Sequence, residues 1–103
     1  MDIKSGIALS ALDEIRKVVE DALVDYRVKV YLFGSWATGK AHRASDVDIA
    51  IDAQQSIPRG LLARLRERLE ESHIPYRVEV VLLDEADEAL RRRILAEGIL
   101  WKG

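Results

Sequence analysis

Residues 45–53, SDVDIAIDA, alternate strictly between two kinds of side chain. Val47, Ile49 and Ile51 fall on one side of such a segment, and Asp46, Asp48, Ala50 and Asp52 on the other. A period of two is the signature of a β-strand with one buried face. The opposite face then carries carboxylates, which strand interiors disfavour. Alternate strand residues stand about 6.5–7 Å apart along the backbone. At that spacing Asp46 and Asp48 repel unless water screens them or a cation lies between them. Taken alone, the triplet has a solvated strand face as its bland reading, and not as the favoured one. Its neighbours point elsewhere.

Upstream, residues 5–26 place Ile7, Ala11, Leu12, Ile15, Val18, Val19, Ala22 and Leu23 at helical spacing with charges between them, which predicts an amphipathic helix. Residues 28–33, VKVYLF, are rich in β-branched and aromatic side chains and are cut off by Gly34, so they predict a strand. The polar stretch 35–44 is expected to hold a short helix and a loop. Downstream, Pro58 suits the first turn of a helix running to about residue 72, with Leu61, Leu62, Leu65 and Leu69 as its stripe. A third strand follows in YRVEVVLL, residues 76–83. Asp84 and Asp87 mark the start of a last helix, and Gly98 marks its end.

The helical crossover makes the second and third strands parallel neighbours. The shorter connection between the first two strands allows them to be antiparallel. The expected fold class is α/β (α+β): a small mixed sheet with helices packed on one face and the other face partly open. A chain of 103 residues is the size of one domain, so a single domain over residues 1–103 is expected.

On the third strand, Arg77, Glu79, Val81 and Leu83 share one face and Val78, Val80 and Leu82 the other. If the first set shares the aspartates' side, three carboxylates meet across two strands. Hard oxygen ligands of that kind suit Mg²⁺, whose shell substrate phosphates and water complete. At the end of the first strand, Gly34 allows close backbone approach to a ligand. Free N–H groups where a helix begins attract phosphate, and the Ser35 hydroxyl adds a donor. Gly-Ser followed, ten residues on, by Asp-x-Asp arises by chance in roughly one chain in a thousand of this length. The combination is therefore informative where its parts are not.

Composition narrows the function. Sixteen basic residues against eighteen acidic ones give a net charge of −2, so there is no electrostatic case for binding bulk nucleic acid. No cysteine is present, which removes disulfides and thiolate metal sites. No apolar run approaches membrane-spanning length, and the first twenty residues lack the core of a signal peptide. A cytoplasmic location is the expectation.

The stretch GSWATGKAHRASDVD, residues 34–48, resembles the signature of the DNA polymerase beta-like nucleotidyltransferase superfamily. The match extends to Gly39 and Ser45. With the flanking strands, the chain looks most like the minimal nucleotidyltransferase (MNT) domains, antitoxin partners of helical HEPN toxins. The resemblance implies a Mg²⁺-dependent enzyme, with two ions, that transfers AMP from ATP to a tyrosine of a HEPN-type protein. It makes Gly34 and Ser35 the phosphate-binding turn and Asp46 and Asp48 the metal pair. Glu79 stands where the family's third carboxylate, usually aspartate, serves as metal ligand or base. Lys40 and Arg43 are candidate triphosphate contacts, with solvated loop cations as the simpler reading.

The alternative function is a catalytically weak nucleotide-binding module that neutralises its partner by binding alone. Transfer to a small molecule is a third reading, disfavoured because little chain lies outside the core to hold such an acceptor. His42 and His73 are too isolated for zinc, and Asp52 and Arg91–Arg93 read as solvated. Trp36 is left between packing and a nucleotide or partner contact. The apolar tail Ile99, Leu100 and Trp101 is left between folding back and meeting another subunit.

Overall fold

The computed structural model describes residues 6–42 and 44–103, with side chains from residue 10 onward. Ser5, the side chain of Ile7, and Arg43 therefore lie outside the described residues. The elements run α1 (Gly6–Ala22), β1 (Val28–Phe33), α2 (Ser35–Thr38), β2 (Val47–Ala53), α3 (Gly60–Glu71), β3 (Val78–Leu82), a 3-10 turn (Leu83–Glu85), α4 (Glu88–Glu97) and β4 (Ile99–Lys102). Four strands form one mixed sheet in the order β3-β2-β1-β4. β1 pairs antiparallel with β2 and β4, and β2 pairs parallel with β3. The α+β class expected from the pattern is what the chain adopts.

One face of the sheet carries Val30, Leu32, Val47, Ile49, Ile51 and Val80, all buried. They pack with Ile15 and Val19 of α1, with Leu23 just after it, and with Leu65 and Leu69 of α3. Fully burying each such side chain is worth about 1.5–3 kcal/mol, so this layer dominates the stability. The second face holds a smaller cluster in which Phe33 and Ala50 meet Leu83 and Ile94, placing α4 there. Helices thus sit on both faces, α1 and α3 on one and α4 over part of the other. The acidic corner of that second face remains partly exposed.

Several local readings shift. The first helix stops at Ala22 rather than residue 26, and Leu23, wholly buried, is its last anchor before the chain turns. Pro58 precedes α3 instead of occupying its first turn; its carbonyl accepts from Leu61 N at 3.1 Å. Asp84 lies in the 3-10 turn, and Asp87 is the N-cap of α4, with Oδ1 accepting from Leu90 N at 2.8 Å.

The apolar tail folds back as β4 against β1. Arg16 Nη2 donates to the Trp101 carbonyl at 2.8 Å, with the guanidinium 6.0 Å from the indole centroid. Gly98 ends α4 in an extended conformation, φ −67°, so the site does not need glycine for a left-handed turn. It needs glycine for space: a Cβ there would overlap the Ile94 carbonyl oxygen. Among the described residues no helix is long and apolar enough to cross a membrane.

Because the Asp87 side chain satisfies an otherwise unpaired helix N–H, Asp87→Ala is expected to cost about 1 kcal/mol. In a domain of this size that lowers Tm by roughly 4–8 °C. Asp84→Ala is expected to stay within about 0.5 kcal/mol. Thermal denaturation of the two variants checks the assignment of the cap.

Candidate active site

The site begins where β1 ends. Gly34 has φ 74° and ψ −152°, a backbone region that essentially only glycine enters without strain. Its carbonyl accepts from Ala37 N at 3.1 Å, Thr38 N at 3.2 Å and Thr38 Oγ1 at 3.3 Å, which closes the single turn of α2. Gly39, at φ 77°, caps that turn in the left-handed conformation, and Lys40 N donates to Ser35 O at 2.9 Å. This is the six-to-one bond of a Schellman cap. Ser35 and Trp36 N–H, at the helix start, have no carbonyl one turn earlier within the helix to bond.

The returning loop is tied down locally. Ser45 Oγ accepts from His42 N at 3.0 Å, Ser45 N donates to His42 O at 2.9 Å, and His42 Nδ1 accepts from Ala44 N at 3.2 Å. The Trp36 indole N–H donates to Ser45 O at 3.4 Å. Its ring meets Tyr76 edge-on, with centroids 5.0 Å apart. Trp36 is therefore a packing residue that braces the loop, and His42 is a loop staple.

Register brings the carboxylates together. Asp48 pairs with Phe33 on β1 and with Glu79 on β3. Paired residues of adjacent strands share a face, so Glu79 lies on the aspartates' side, beside Asp48. A Cβ at Gly34 would overlap Asp48 Oδ2, with Cγ only 3.3 Å away, so the missing side chain is the space that the carboxylate uses. Burial pushes the Asp48 carboxyl above its ordinary value of 3.8, and the like charges of Asp46 and then Glu79 push it further. Glu79 Oε1 accepts from Arg77 Nη2 at 3.1 Å in an exposed ion pair.

Among the described residues, no three His, Asp or Glu side chains converge closely enough to form a metal cage. The triad expected from the pattern is thus assembled in register but not closed. The donor set nonetheless fits a hard divalent cation. Asp46 and Asp48 supply carboxylate oxygens, and the burial that raises Asp48, with the like charges of Asp46 and Glu79 behind it, is a cost that a cation would relieve. Mg²⁺ characteristically takes only one or two carboxylates and fills its shell with water and phosphate.

The structure therefore brings together Gly34, Ser35, Asp46, Asp48 and Glu79. Lys40 is exposed just beyond the cap of α2, where its backbone rather than its ammonium makes the described contact. Asp52, opposite Lys29, lies four residues from Asp48, about 13 Å along the strand, and takes no part. Arg77 is the site residue that the pattern did not single out. Its place two residues before Glu79 on an alternating strand was the available signal.

A raised carboxyl favours folding only while protonated. Asp48 contributes stability fully below its ordinary value of 3.8, and that contribution is lost as pH rises through the raised folded value. At neutral pH and without divalent cations, its charge is a cost. Asp48→Asn is expected to raise Tm at pH 7, with the gain vanishing below the ordinary aspartate range. Paired melting curves of both proteins across pH check this.

Known proteins resemble the chain over most of its length. A family model described as polymerase beta, nucleotidyltransferase, matches residues 14–102. The chain is 33% identical over 81 residues to a Haemophilus influenzae protein described as "Probable protein adenylyltransferase MntA", covering 79% of this chain and 66% of that one. It is 31% identical over 90 residues to the protein adenylyltransferase MntA of Shewanella oneidensis, covering 86% and 63%. It thus spans slightly less than two thirds of the length of these relatives. The crystal structure of a toxin–antitoxin with AMP-PNP superposes with a TM-score of 0.67 at 28% identity, covering 85% of this chain and 73% of that one. The glycine turn, the paired aspartates behind it and the extent of the family match lead to one conclusion: the chain belongs to the polymerase beta nucleotidyltransferase family.

Proposed function

We propose that this chain transfers AMP from ATP to a protein hydroxyl, a tyrosine of a small helical HEPN-type toxin, and acts as that toxin's antitoxin in the cytoplasm. The observation that carries the reading is the seating of Asp48 against Gly34, beside Asp46 and Glu79. Two relatives bear the name protein adenylyltransferase MntA, and a structural neighbour is a toxin–antitoxin with an ATP analogue. On this reading residues 1–103 act as one domain.

In this proposal the Gly34–Ser35 turn receives the phosphates, with backbone N–H groups and the Ser35 hydroxyl donating to their oxygens. Asp46 and Asp48, with Glu79, would hold two Mg²⁺ ions, which when bound neutralise charge on the triphosphate and the departing pyrophosphate. Lys40, exposed beyond the turn, adds positive charge for the triphosphate. Arg43 keeps the same expected role. The acceptor oxygen forms a bond to the α-phosphorus, and the α–β phosphoanhydride P–O bond breaks. Pyrophosphate leaves, and the hydroxyl proton passes to the Glu79 carboxylate. Most of the rate comes from alignment and charge compensation.

Co-expression with a small helical HEPN-type protein, followed by intact-mass and peptide analysis, tests the proposal. Adenylyl groups on a partner tyrosine are expected with the unaltered chain. Asp46→Asn or Asp48→Asn is expected to slow labelling by at least about a hundredfold. A partner that is neutralised yet never modified would replace this reading with binding alone.

A further inference from the structure

We infer that Arg77 is a positioning residue that holds the Glu79 carboxylate off the Asp46–Asp48 pair until a divalent cation draws it in. The inference rests on the metal-site reading above and adds a named competitor to it. Arg77 immediately precedes β3 and stands two residues before Glu79, so the alternation carried back from the strand puts both on the carboxylate face. Val47 N donates to Arg77 O at 2.9 Å, and Asp48 is in register with Glu79. Along the backbone, Arg77 therefore lies beside the strand entry that carries Asp46. It nevertheless takes Glu79, at 3.1 Å, and among the described residues no three-membered acidic cluster is closed.

The physical logic is a trade. Without a cation, three carboxylates gathered at one corner would repel, and parking Glu79 on Arg77 lessens that repulsion. Glutamate has the side-chain torsions to swing between the guanidinium along its own strand and Asp48 across the ladder. The parking contact is also weak. The Arg77 and Glu79 side chains are 76% and 44% exposed, and ion pairs at such exposure shift an equilibrium by at most about fivefold. A hard dication that shares the carboxylate with Asp48 can displace it. Arg77 thus sets how much charge the empty site carries and how readily the third ligand is released.

The test is Mn²⁺ binding to the whole chain without nucleotide, read by electron paramagnetic resonance at physiological ionic strength. Distant exposed charges are largely screened there. Arg77→Ala is expected to tighten binding about two- to fivefold, and Arg77→Lys to stay near the unaltered protein. In a Glu79→Gln background, Arg77→Ala is expected to change nothing, because the residue it releases is gone.

Equal tightening in both backgrounds would show a general charge effect and overturn the inference. No change, or weaker binding, in Arg77→Ala would overturn it as well. An unaltered chain that fails to bind Mn²⁺ would sink the metal-site reading and this inference together. A binding chain indifferent to Arg77 would sink this inference alone.

Discussion

The site depends on a missing side chain. At Gly34 the backbone adopts a conformation closed to other residues, and the space where a Cβ would stand is filled by the Asp48 carboxylate. One residue thus does two things at once. It turns the chain from β1 into α2, presenting the start of that turn to a ligand, and it lets a charged side chain from β2 lie against the same turn. Any larger residue would separate the backbone proposed to receive the phosphates from the carboxylate proposed to hold the metal.

The rest of the fold holds that contact in place. The apolar layer of Val47, Ile49 and Ile51 against α1 and α3 fixes which side of β2 is buried, so Asp46 and Asp48 have only one way to face. A slip of one residue would turn every side chain over. α4 covers the neighbouring Phe33 and Ala50 and leaves the acidic corner open. The corner is electrostatically unfavourable by itself, as the raised Asp48 shows. Strain of this sort is common where a site is prepared for a ligand of opposite charge.

Much of this was legible in the sequence because period-two alternation and glycine placement are strong local signals. β1 and β2 appear where the pattern puts them, and the α3 crossover implies the parallel pairing of β2 and β3, while the face that Glu79 shares is settled only by the register of the fold. Less legible were features decided by tertiary contact. β4 spans only four residues directly after a helix, too short for periodicity to separate strand from helix. It exists because β1 offers a free edge and Arg16 pins Trp101. The place of α4 could not be read from its own sequence, since the Leu90 and Ile94 stripe does not say which sheet face it meets. Likewise, the pairing of Glu79 with Arg77 depends on side-chain torsions that spacing leaves open, and Arg43 lies outside the described residues.

The central claim is that the corner between Gly34 and Asp48 binds a nucleoside triphosphate through divalent metal, so that the nucleotide depends on the ion. Calorimetric titration of ATP into the unaltered chain tests it most directly, run once with Mg²⁺ and once with a chelator. The account predicts binding with Mg²⁺ and its loss when the metal is removed. ATP bound equally well in the chelator, or not bound in either condition, would contradict it.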